Sequence, residues 1–171
     1  MTIGSVLRTE RGNRSQQQMV LELELPISRE SLSQYENNRT EMPADISRMI
    51  SEKARDPWFH FNIAREYTGF GPKKPDGRKA ILHPSAWKEI AVREMQEAIE
   101  SLNSFNFAQP LESIENWQYE DLQRVADQAI DAQYAAGKLI AVLAESSKLD
   151  VVKAYKDNER KLIARGYYKE G

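Results

Sequence analysis

The chain has 171 residues, 40% hydrophobic and 29% charged, with no cysteine, two histidines and a formal net charge of −2. That balance suits one folded domain or two small ones. It excludes disulfides, thiolate metal sites, cysteine nucleophiles and a polybasic protein held to nucleic acid by bulk charge.

A first helix through Val6, Leu7 and Arg11 stops near Gly12-Asn13. A second covers residues 18–25, with Pro26 as the break. Ser28 then caps a third helix, because its hydroxyl can accept a hydrogen bond from a first-turn N–H. Leu32 and Tyr35, three apart, share the face that anchors this helix to a small core. Asn37-Asn38 offers the left-handed stop. Pro43 suits the first turn of a fourth helix striped by Ile46, Met49 and Ile50. Asp56-Pro57 starts a fifth, whose Trp58-Phe59-His60-Phe61 run reads as core.

Residues 68–83 differ, with Gly69, Gly71, Pro72, Pro75 and Gly77 set among Lys73, Lys74, Arg78 and Lys79. This reads as a linker or strap with room for a short extended piece over 79–82. It lacks the Gly-Lys-Ser/Thr ending of a phosphate loop. Its lysines admit two readings, a flexible arm on a DNA backbone or a solvated linker. After Pro84 come three long helices. The first carries a heptad-like seam of Trp87, Ala91, Met95, Ala98, Leu102 and Phe105. The others are striped by Leu122, Val125, Ala136 and Ile140, and by Leu149, Val152, Tyr155 and Leu162. The expected architecture is all-α: a helical N-terminal domain over 1–67, a strap over 68–83 and a helical domain over 84–171. The seam is assigned to the core first, with any remaining exposed face serving self-association.

Function is written most plainly in residues 26–39. Arg29, Glu30, Ser31, Ser33 and Gln34 cover the outward faces of a short helix with donors and acceptors, as reading base edges in a major groove requires. Helix, tight break, helix is the helix-turn-helix arrangement. Arginine reads guanine O6 and N7 with two hydrogen bonds, so Arg29 is the first candidate for direct readout. Gln34 can read adenine in the same manner, and Glu30 either accepts from cytosine N4 or orients Arg29.

With the first helix included, Ile3-Gly4, Leu7-Arg8, Arg11, Gln18, Leu21, Leu25, Ile27-Ser28, Leu32-Ser33 and Glu36-Asn37 form a gapless pattern. On those residues the chain resembles the Cro/CI-type (XRE-like) helix-turn-helix family, over roughly residues 3–55. The resemblance implies a compact lambda-repressor-like bundle of four or five helices whose third enters the major groove. It puts Arg29, Glu30, Ser31 and Gln34 at base-reading positions. Gln18, Ser28, Asn37 and Arg39 fall at phosphate-contacting ones. Arg11 and Glu36 match a structural salt bridge. Three positions depart from the family pattern: Glu22 for an alanine at a tight crossing, and Pro26 and Asn38 for two turn glycines.

The expected function is a sequence-specific, DNA-binding transcriptional regulator, in its most specific form a prophage-type repressor on a palindromic operator. Its partners are double-stranded DNA, a second copy or a higher homo-oligomer joined through the C-terminal helices, and a regulatory protein. The rival is a protein-interaction module (antirepressor, antitoxin or adaptor), which the near-neutral charge favours. No cofactor, metal or catalytic set is expected, and therefore no enzyme. No apolar run reaches the ~20 residues a membrane helix needs, and no charged-then-apolar leader is present, so a cytoplasmic, nucleoid-associated setting is expected.

Overall fold

The computed structural model describes residues 2–54, 56–108 and 110–169. Among these it is all-helical, with eight α-helices, one 3-10 turn at Leu111–Ser113 and no strand. No helix is long and apolar enough to cross a membrane among the described residues. By its contacts the chain divides into two compact units, one of Met1–Lys74 with Ala144–Gly171, the other of Pro75–Leu143.

The first unit opens with α1 (Ile3–Arg11) and α2 (Gln16–Glu22), each started by a reciprocal capping box: Thr2 with Ser5, and Ser15 with Gln18. Gly12, at φ 56°, ends α1 in a conformation that a Cβ would oppose. Helix α2 stops three residues short of the expected Leu25. Glu24 takes the left-handed conformation at φ 47°, its N–H bonds to Leu21 O at 3.2 Å, and the Leu25 N–H reaches back to Val20 O at 3.0 Å. This is a Schellman ending, and burial of Leu23 and Leu25 on either side of Glu24 holds it closed. Pro26 therefore follows the break instead of making it.

Helix α3 (Arg29–Glu36) is capped by Ser28, whose Oγ accepts from the Ser31 N–H at 3.1 Å. It ends in a second Schellman motif with Asn38 at φ 52° and the Arg39 N–H on Gln34 O at 2.9 Å. Pro43 sits at the N-cap of α4 (Ala44–Lys53), one position before the expected first turn. Asp56 caps α5 (Pro57–Thr68) by accepting from the Trp58 N–H at 2.9 Å. Leu7, Met19, Leu32, Ile50 and Phe59 are fully buried, and they join α1 to α3 and α5, α2 to α3, and α4 to α5.

The strap holds no strand at 79–82; a turn closed by the Ala80 N–H on Gly77 O replaces it. Its first part belongs to the first unit, because Lys74 lies 5.6 Å from the Trp58 ring centroid and 2.8 Å from Glu145. The Trp58 indole N–H also donates to Glu145, at 2.9 Å. Burial opposes ionisation of Glu145, but these two donors and the Lys74 charge together hold its carboxyl below the usual range. Glu145 ends α7 (Asn116–Glu145), and α8 (Val151–Ala164) follows it within the first unit. By this division α8 falls with the N-terminal helices, whereas the expected domain over 84–171 grouped it with α6 and α7.

The second unit contains α6 (Pro84–Ser104) and α7 as far as Leu143. Its buried residues include Trp87, Ala91, Ala98, Val125, Ala135 and Val142. The expected seam is thus split. Trp87, Ala91 and Ala98 are inside, whereas Met95 and Leu102 are 41% and 44% exposed.

Gly4 marks the closest approach among the described glycines. A Cβ there would lie 2.5 Å from Glu36 O and 2.6 Å from Tyr35 O, both backbone atoms. Gly4→Ala is expected to push α1 off the end of α3 and destabilise the fold by about 1–3 kcal/mol. Urea unfolding checks this, and an unchanged midpoint contradicts the approach described.

Candidate functional site

The outward face of α3 depends on a carboxylate at its inner end. The Glu36 side chain is 1% exposed. Its Oε1 accepts from Arg11 Nε at 2.6 Å; its Oε2 accepts from Arg11 Nη2 at 3.3 Å and from Gln16 Nε2 at 2.8 Å. Arg11 also donates to Arg14 O at 2.7 Å, and Arg8 Nη2 donates to Glu36 O and Asn37 Oδ1 at 3.2 and 3.0 Å. Three helices are thereby pinned to one point: α1 through Arg8 and Arg11, α2 through Gln16, and α3 through Glu36. Bidentate guanidinium–carboxylate geometry fixes orientation as well as distance.

From that anchor, Arg29, Glu30 and Gln34 reach solvent along α3, with Ser28 and Arg39 exposed beside them. Arg29 and Glu30 are 58% and 65% exposed and paired, with Arg29 Nε and Nη2 at 3.1 and 2.9 Å from Glu30 Oε1. The Glu30 carboxyl is held below its usual range, first by its own backbone N–H in the first helical turn and then by Arg29. Glu30 is accordingly an ionised acceptor that aims Arg29. Ser31 is half-buried and its Oγ lies 3.0 Å from Ser28 Oγ. Gln34 Oε1 accepts from Thr40 Oγ1 at 3.3 Å.

The expected phosphate-contacting residues fare unevenly. Arg39 is exposed and its guanidinium pairs with nothing among the described residues. The Asn37 side chain is occupied at both ends: its Nδ2 donates to Ser33 O at 2.7 Å while Oδ1 accepts from Arg8. It therefore acts within the fold. Gln18 lies at the third position of α2, not at its start, and its Oε1 accepts from the Ser15 N–H at 2.8 Å. Its amide N–H groups face outward from an exposed side chain, next to exposed Gln17. Reasoning from the sequence missed Gln16 and Arg8, which tie α2 and α1 to α3. The Ser15-x-x-Gln18 capping box was the available signal that α2 begins at Gln16.

The two histidines serve the fold. His83 Nδ1 accepts from the Ser85 N–H at 3.2 Å and caps α6, and burial lowers the pKa of His60, whose Nε2 lies 3.2 Å from Ala54 O. Among the described residues, no group of three or more side chains is arranged to hold a metal ion.

Comparison with protein-family models, curated proteins and solved structures finds no match. The anchor itself is open to measurement. Arg11→Ala leaves a nearly solvent-free carboxylate with only Gln16 beside it and should destabilise the fold by about 3–5 kcal/mol. Arg11→Met combined with Glu36→Leu removes the stranded charge and should recover most of that loss. Urea unfolding of both variants checks this, and a loss below about 1 kcal/mol for Arg11→Ala contradicts the anchoring role.

Proposed function

We propose that the chain is a sequence-specific DNA-binding transcriptional regulator, with α2 and α3 as a helix-turn-helix and α3 as the helix that enters the major groove. The observation that carries this reading is the outward face of α3. Ser28 caps its start, the Glu36 network anchors its end, and Arg29, Glu30 and Gln34 stand exposed between them. A groove-reading element needs side chains on a rigid support, and buried Leu32 supplies the inner contact. Arg29 reads guanine, oriented by Glu30; Gln34 reads adenine; Arg39 and the Gln18 amide touch phosphate.

A single helix of this length covers few base pairs, so the regulator works as a dimer on a palindrome with half-sites roughly 34 Å apart. Exposed Val92, Met95, Ile99 and Leu102 on α6 support self-association. They recur at steps of three and four, with β-branched residues alternating with Met and Leu as in two-stranded coiled coils. A prophage-type repressor is the most specific version. One observation favours the rival protein-interaction role: Glu30 offsets the Arg29 charge in a chain whose net charge is already −2.

Footprinting on the DNA upstream of the chain's own gene tests the proposal. The wild-type protein should protect a palindrome at low salt. Arg29→Ala should lose about 1–3 kcal/mol at one base pair of each half-site. Arg39→Ala should weaken binding to all sequences and flatten the salt dependence by about one phosphate contact. Protection of no palindrome, with a partner protein still captured by Arg29→Ala, favours the rival.

A further inference from the structure

On the first unit, an open groove of about 790 Å³ runs between the α4–α5 junction and α8. Ala54, Pro57, Leu149 and Val152 give it apolar walls, and five cationic side chains line it: Lys53, Lys148, Lys153, Lys156 and Arg160. Lys153, Lys156 and Arg160 recur at steps of three and four, so they project from one side of α8. Two acids, Glu52 and Asp150, line the groove beside the five cations. Glu52 pairs with Arg48, and Asp150 accepts from the Lys153 N–H at 2.9 Å. Asp157 holds Arg160 at 3.0 Å, whereas Lys148, Lys153 and Lys156 pair with no carboxylate among the described residues. His60 also lines the groove, and burial keeps it neutral at neutral pH, so the positive charge belongs to the lysines and Arg160. In a chain of net charge −2, this is a local excess of cations over an apolar floor.

Lys53 has a second attachment. Its Nζ donates to Leu23 O at 2.7 Å and to Glu24 Oε2 at 3.0 Å, the two residues that end α2 and lead into α3. Glu24 is also the residue held at φ 47°. Lys53 therefore lines the groove, while its ammonium reaches Leu23 and Glu24 and ties down the turn between α2 and α3.

We propose that this groove binds a small organic anion, a carboxylate or phosphate ester with an apolar body, and that Lys53 transmits its arrival to the α2–α3 turn. A concave site with apolar walls and convergent charges suits a compact ligand better than a nucleic-acid backbone. The bound anion competes with Leu23 O and Glu24 for Lys53 and loosens the turn that aims α3. As a regulatory device this rests on the DNA-binding reading; as a binding site it does not.

The test therefore contains no operator DNA. The ¹⁵N-labelled chain is titrated with phenyl phosphate and, separately, with inorganic phosphate and benzyl alcohol, and backbone amide shifts are followed. Phenyl phosphate should bind saturably, shifting Ala54, His60 and Val152 together with Leu23, Glu24 and Leu25. Each control should bind at least about tenfold more weakly. The double variant Lys153→Ala, Lys156→Ala removes two exposed side chains and should leave the remaining spectrum in place while weakening phenyl phosphate about tenfold. Absence of saturable shifts, or shifts that survive the double variant, overturns the site. Groove shifts without movement at Leu23 to Leu25 overturn the Lys53 link. If duplex DNA of arbitrary sequence shifts the groove amides and phenyl phosphate does not, the surface is a backbone contact and the proposal fails.

Discussion

Glu36 carries a negative charge where water scarcely reaches, and the first three helices are arranged around it. An isolated carboxylate in such a place would be strongly unfavourable, so Arg11 and Gln16 must both approach it. Their approach sets where α1 and α2 lie against α3. Gly4 belongs to the same arrangement, since its missing side chain lets α1 come up to the carbonyls of Tyr35 and Glu36. A buried ion pair adds little net stability over an apolar replacement. Its effect here is geometric, because it fixes the rotation of α3 and with it the direction in which Arg29, Glu30 and Gln34 project. The Ser28 cap and the Schellman ending at Asn38 then fix the helix's length.

Much of this could be read from residue types alone. Ser28 before a helical run, Leu32 and Tyr35 on one face, and a pairing of Arg11 with Glu36 follow from local chemistry or from the family pattern, and the described helices fall close to the expected segments. What escaped was set by contacts between distant residues. Pro26 looked like the break because proline cannot continue a helix, yet the chain turns two residues earlier. Leu23 and Leu25 are both buried there, and Glu24 accepts positive φ as the consequence. The amphipathic stripe of α8 says that it packs but not on what. The link from Glu145, at the end of α7, to Trp58 and Lys74 joins residues 87 and 71 positions apart. Asn37 likewise has the right type for a phosphate contact, but Arg8 and Ser33 O already take up its amide.

Under the proposed function, the electrostatics fit a reader that relies on specific contacts more than on bulk attraction. Arg8, Arg11 and Arg14 spend their donors inside the fold, and Arg48 pairs along its own helix with Glu52. Arg29 is balanced by Glu30, which leaves Arg39 beside α3 with no partner among the described residues. A protein with few phosphate contacts has a shallow salt dependence and weak non-specific binding. Discrimination then falls to the few side chains that reach base edges, and two half-sites are needed to accumulate enough of them. Under the proposal, an anion in the groove adjusts the aim of α3 through Lys53, without any change in the side chains proposed to read DNA.

The central claim is that the exposed surface of α3 recognises base pairs. Selection of bound duplexes from a random-sequence pool, with sequencing of the retained fraction, addresses it whatever the operator sequence is. The account predicts enrichment of a palindrome whose half-sites are centred about one helical turn apart, with guanine and adenine among the constrained positions. Recovery of sequences indistinguishable from the starting pool at low salt would contradict it.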